Sequence, residues 1–317
     1  MRLTYTQESD FRQLRDFGQK FSATFEFIGA HWRGLGRALL YIVLPAALLQ
    51  GLVAGLLNRQ MLASGLLGAQ SHETSGKLAQ QLALFNSMRE SPYYWVSTVM
   101  GAIFVTVLVL TVYGYVMRCL RPHATNEPIG VGEVWDVVRD QFLSSFLSYF
   151  GLIILIIIAT LFFLLPGIYM SVAFALFYVV KVVEGTGFGA TSSRCLRLTR
   201  GKWWSTFGLL FVMSMVLGLL GAVMGGFLSG AVLLGSALGL YHPADSSLGL
   251  FTVMASVFGG LLYLLIYPPL LIALAFQYFN LVERQDGVGL HNLVHQLGQT
   301  PVAATNTTYR PDEEGEY

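Results

Sequence analysis

His291 and His295 are the residues whose types and spacing come nearest to catalytic or metal chemistry. Four residues apart, they share one face of a helix. A His-Glu-x-x-His site also needs a glutamate as base. Here Asn292, Leu293 and Val294 intervene, and no carboxylate cluster lies beside them. The pair therefore reads as two surface histidines, and no metal ligand is expected. Cys119 and Cys195 are too few for a cysteine-built zinc site. Gly185-x-Gly187-x-Gly189 lacks both the preceding strand and the spacing of a dinucleotide fingerprint, and neither a P-loop nor a nucleophile elbow is present. The sequence thus predicts no catalytic residues and no cofactor. A net charge of +1 gives no basic excess for nucleic acid.

Two groups point instead to non-covalent chemistry in a membrane. Arg194, Arg197 and Arg200 recur every three residues, near one helical face, where they can meet lipid headgroup phosphates. Glu184 is placed to pair with one of them. Gly51-x-x-x-Gly55, Gly221-x-x-x-Gly225, Gly226-x-x-x-Gly230 and Gly235-x-x-x-Gly239 each put two glycines on one helix face. In lipid such faces let helix backbones approach closely. Packing within one subunit is the plainest reading. An oligomer contact or a groove for a lipid tail are the alternatives.

These residues sit on or beside six long apolar stretches, at about 35–57, 95–117, 145–165, 167–183, 203–225 and 250–282. Crossing a hydrocarbon core takes roughly 20 helical residues. Lipid offers no partner to backbone N–H and C=O groups, so the spans must be helices. The expected fold is an all-α polytopic membrane protein: one integral membrane domain over residues 1–298, and a disordered, acidic tail over 299–317. Ionisable residues are absent from the centres of the spans, which argues against proton-coupled transport and voltage sensing. Gln50, Gln277 and Asn280 are the main polar side chains there.

Charge sets the expected orientation. With the N-terminus inside, only Arg59, Lys77 and Arg89 of the 19 lysines and arginines fall outside. Positive residues near span ends are retained in the cytoplasm, so both termini are expected there. Residues 1–30 have no apolar core of a signal peptide. Both cysteines map to cytoplasmic span ends, and no disulfide is expected. Pro166-Gly167 reads as a tight outside turn. Asn58–Pro92 forms the one sizeable outside loop, in which Lys77–Met88 has the pattern of a short surface helix. Gly225–Leu240 either extends the fifth helix, lies at the interface or re-enters.

A weak repeat organises the chain. Phe17-Gly18 is followed by Trp32, and Phe188-Gly189 by Trp203, each tryptophan fourteen residues after the glycine. Apolar stripes precede the span pairs: Phe17, Phe21, Phe25 and Ile28; then Val131, Val134, Trp135, Val138 and Phe142; then Cys195, Leu196 and Leu198. A fourth, Leu290, Leu293, Val294 and Leu297, follows the last span. The expectation is three units, each a cytoplasmic interfacial helix followed by a transmembrane hairpin.

Pro166-Gly167-Ile168, the span end Val182-Val183-Glu184-Gly185 and the run Arg194-Cys195-Leu196-Arg197-Leu198-Thr199-Arg200-Gly201-Lys202-Trp203-Trp204 resemble a set of bacterial six-span proteins. These are the YciC-like proteins and the membrane domain beside some glycerophosphodiester phosphodiesterases. Gln277–Arg284 is similar to the end of their last helix, and Cys195 stands where they typically carry serine. The resemblance implies a non-enzymatic protein of the bacterial inner membrane acting as a scaffold, regulator or envelope-homeostasis factor. The alternative function is transport or lipid handling of a neutral or amphipathic molecule, with Gly218–Gly239 lining a groove. Membrane lipids are the expected partners, with a second copy or another membrane protein as further ones.

Overall fold

The computed structural model describes residues 8–63, 86, 89–120, 129–237 and 246–287. Among these, every regular element is a helix. Short α1 (Glu8–Phe11) precedes α2 (Phe17–Ala38), which passes through a π-helical turn, Leu39–Val43, into α3 (Leu44–Ala63). Then come α4 (Pro92–Leu120), α5 (Val131–Phe162), α6 (Leu164–Phe174), α7 (Phe177–Glu184), α8 (Phe188–Thr199), α9 (Trp203–Ala237) and α10 (Ser246–Asp286). Six helical stretches are long and apolar enough to cross a membrane. The chain is a multi-pass helical membrane protein.

Two of the three expected interfacial helices are not separate elements. Phe17–Met61 runs as one 45-residue rod, and Val131 begins the same helix that ends at Phe162. The π-helical turn explains the continuity of the first. Pro45 lacks an N–H and its ring crowds the preceding turn, and widening the helix just before it removes that conflict. The third segment does stand alone. Gly185 (φ 64°) ends α7, and Gly201 (φ 78°) turns the chain between α8 and α9. Both positions need the left-handed backbone that glycine adopts freely. In the first repeat copy Ala30 occupies the place of Gly201, and the helix continues through it.

Amphipathy in α2 is oriented for lipid. Phe17 and Phe25 of its aromatic stripe are exposed, while Lys20, Thr24, Phe27 and His31 face the bundle. The tight turn also differs from expectation. Its pivot is Phe163, with extended backbone, and Pro166 lies in the first turn of α6, where no N–H is required of it. Gly167 packs on α5 so closely that a Cβ there would lie 2.9 Å from the Thr160 Cα. The fourth span is bent at Ala175-Leu176, between α6 and α7. Residues 225–237 extend the fifth helix, so α9 is 35 residues long, about 52 Å at 1.5 Å per residue. The expected helix over 77–88, apart from residue 86, the stripe after the last span, Gly239 and the tail 299–317 lie outside the described residues.

The core is built around α4 and the α6–α7 span, the two most enclosed spans. Leu110, Val112 and Tyr113 of α4 meet Phe177 and Val180 of α7 and Phe276 and Phe279 of α10 in one continuous cluster. Phe11 joins it by stacking on Phe276 at a centroid distance of 5.8 Å. The most extensive helix pair is α3 with α10. α5 and α9 are the most exposed spans, presenting Leu147, Ile154 and Ile157, and Phe211, Met215 and Leu219, to lipid.

Candidate functional site

The ends of α2, α7 and α10, with α8 and the start of α9, form a basic end of the bundle. Glu184 ends α7 and receives two bonds. Arg194 Nε donates to Glu184 Oε1 at 3.0 Å, and the Tyr278 hydroxyl donates to the same oxygen at 3.0 Å. Arg194 also reaches the Asp286 carboxylate. Hydrogen bonding to Asp286 raises the Arg194 pKa, burial works against this, and Glu184 reinforces it, so the guanidinium stays charged. Gln285 Nε2 donates to the carbonyls of Arg197 and Leu198 at 3.0 and 3.1 Å, capping the end of α8. Cys195 is buried at this junction. Burial first, and the Glu184 charge second, push its thiol up to about 12.

The arginine triad is therefore divided. Arg194 braces α7, α8 and α10 against one another, while Arg197 and Arg200 are exposed. Only the latter two are free to face lipid phosphates.

A second polar network lies where α2 meets α9 and α10. Lys20, 3 % exposed, donates to Gln277 Oε1 at 2.7 Å and to Ser205 Oγ at 3.4 Å. Gln277 Nε2 donates in turn to Thr206 Oγ1 at 2.9 Å. Asn280 Nδ2 donates to the Arg15 carbonyl at 2.9 Å, and Arg284 Nε donates to Asn280 Oδ1 at 3.0 Å. Farther round the bundle, Lys181 donates to the Ser144 carbonyl and Ser148 Oγ at 2.8 and 2.6 Å. Both lysines are buried against neutral acceptors.

Beyond the Lys20 network the α9–α10 seam is sealed by Leu209, Met213 and Ala273, with Phe21 packed on them. Past this plug the helices part. A cleft of about 450 Å³ opens between Ser214–Gly225 of α9 and Gly259–Leu270 of α10. It lies near the middle of both helices. Gly218, Gly221 and Gly225 line one wall and Gly259 the other, and a Cβ on any of them would meet nothing within 4 Å. Tyr263 and Tyr267 line the α10 wall with ring centroids 5.3 Å apart, both partly exposed. Pro268 and Pro269 stand beside the cleft in α10 and deny the helix two N–H groups.

The glycine pairs thus behave differently. A Cβ on Gly51 would lie 2.6 Å from the Val257 Cα, and one on Gly55 would lie 2.7 Å from the Val253 Cα. That pair supports close packing of α3 on α10. Gly221 and Gly225 border open space, as does Gly226, while Gly230 lies farther along α9.

Sequence reading missed the burial of Lys20 and the role of Gly259. In sequence Lys20 is simply one of the sixteen lysines and arginines on the inside. Its spacing of four from Thr24, beside aromatic residues, was the available signal of an inward-facing position. Gly259-Gly260 within an apolar span signalled close approach, and Gly260 does contact Ala47. Among the described residues no group of three His, Cys, Asp or Glu side chains is placed to hold a metal. His291 and His295 lie outside those residues.

Comparison with protein-family models, curated proteins and solved structures yields no match.

Proposed function

We propose that this membrane protein handles lipid without catalysis, taking the acyl chain of an amphipathic lipid into the α9–α10 cleft. The observation that carries this reading is the cleft itself: apolar, glycine-walled and running outward from mid-span. Its volume falls in the range of about 300–1,000 Å³ usual for small-molecule sites. Phe211, Met215, Leu219, Val223 and Leu265 present apolar surface on the same two helices, so the occupant at hand is a lipid chain. A scaffold or regulatory role rests on the family resemblance and gives the cleft no purpose. The charge bias supports both termini in the cytoplasm, and the resemblance supports a bacterial inner membrane.

A phospholipid with a photoactivatable group at the end of one chain tests the proposal. Cross-links are expected to concentrate in peptides covering 214–225 and 259–270, and Gly221→Leu should reduce them severalfold. Cross-links spread evenly over α5, α9 and α10, unaltered by Gly221→Leu, would refute it.

A further inference from the structure

We infer that the Lys20–Lys202–Arg284 cluster at the basic end of the α9–α10 seam binds the phosphate of an anionic lipid headgroup. The inference rests on the proposed acyl-chain site and names the other half of the same ligand.

The argument begins with uncompensated charge. An ammonium carries three donors. Lys20 uses two, toward Gln277 and Ser205, and both acceptors are neutral. Among the described residues no third acceptor and no carboxylate bonds to it. Buried charges are ordinarily paired, because removing an ion from water is expensive. Here burial weighs most against the Lys20 charge, Arg284 and Lys202 add to that, and Asp16 is the acid that opposes them. Arg284 spends its Nε on the neutral Asn280, and Lys202 is exposed. An anion arriving at this place offsets both the burial and the neighbouring positive charge that weigh on Lys20.

Location selects the lipid as the source. Trp204 beside the cluster is 76 % exposed, as expected of an indole at the membrane interface. From Ser205 to Ser214, where the cleft begins, α9 rises about 14 Å. This is close to half of a ~30 Å hydrocarbon core, the depth reached by chains whose phosphate lies at the interface. The plug of Leu209, Met213 and Ala273 closes the interior of the seam, so the chain passes over its outer surface, beside exposed Phe211. A second cation on the headgroup, as in choline, is repelled by the same cluster.

Native mass spectrometry of the full chain, titrated with phosphatidylglycerol, phosphatidylcholine, diacylglycerol of the same chains and inorganic phosphate, tests this. Phosphatidylglycerol should bind about thirtyfold more tightly than the other two lipids, the scale expected of two interfacial cations. Lys202→Gln/Arg284→Gln, which leaves the buried Lys20 in place, should erase that preference and leave diacylglycerol binding unchanged. Lys20→Met should weaken it too. A preference that survives the double variant overturns the assignment, as does inorganic phosphate binding as well as the lipid. Failure of the acyl-chain reading has a different signature: diacylglycerol would not bind, or Gly221→Leu would leave its binding intact, while the headgroup preference persisted.

Discussion

Gly51 of α3 rests directly on the backbone of Val257 of α10, so near that a Cβ added to the glycine would lie 2.6 Å from the Val257 Cα. No side chain can give way there, because the obstacle is main chain. The two helices would have to separate along their largest shared surface.

Gly51→Ala should therefore destabilise the protein by about 1–3 kcal/mol, the usual cost of overpacking. Gly36→Ala, where a Cβ meets nothing within 4 Å, is the control and should be neutral or mildly stabilising. Thermal unfolding in detergent, followed by helical signal, compares them. Equal midpoints for the two variants would contradict the packing described.

Arg194 and Arg197 should part company on substitution. Arg194→Gln removes the partner of both Glu184 and Asp286 and should lower stability by about 1 kcal/mol, a modest value because the ion pairs are partly exposed. Arg197→Gln should change stability little. Loss of equal size in both would mean that α8 is not braced through Arg194.

Cys195 offers a pH-dependent readout. The thiolate is the reactive form, and a thiol pushed up to about 12 holds little thiolate near neutrality. Maleimide labelling in the folded protein should stay slow from pH 7 to 9 and become fast only on unfolding. Rapid labelling of Cys195 at pH 8, resolved from Cys119 by peptide mapping, would show the junction of α7, α8 and α10 to be open.

An even number of crossings puts both ends of the chain on one side. Reporter fusions after Leu57 and after Val282 should report opposite compartments, the second cytoplasmic. An external signal from the fusion after Val282 would overturn the orientation read from charge.

The number of spans was legible because each one is an uninterrupted apolar run bounded by charge, and lipid leaves such runs a single backbone form. The boundaries of the interfacial helices were not. Nothing local distinguishes Ala30, which lets α2 continue, from a turn position until it is set beside Gly201, whose positive φ ends α8. Pro166-Gly167 named the right hairpin but not its pivot, since proline is as comfortable in a first helical turn as in a loop. The glycine pairs were visible in sequence, yet which of them faces a neighbour and which an opening depends on how α3 and α9 lie against α10. Arg194 could be matched to Glu184, but its second partner, Asp286, comes from a helix 92 residues away along the chain.

The Phe163 pivot has a consequence for how the protein enters its membrane. Leu161, Phe162, Phe163, Leu164 and Leu165 form the tip of the α5–α6 hairpin, and each is at least 66 % exposed. From Phe142 to Val180 the chain carries no Asp, Glu, Lys or Arg. Driving this hairpin through the bilayer from its basic end drags no charge across the hydrocarbon, and the tip has nothing hydrophilic to anchor in the water beyond. The pair can thus insert as a preassembled wedge, halting where Asp140 and Glu184 reach the near surface. A hydrophilic epitope spliced at Phe163 would turn a nearly free passage into a costly translocation.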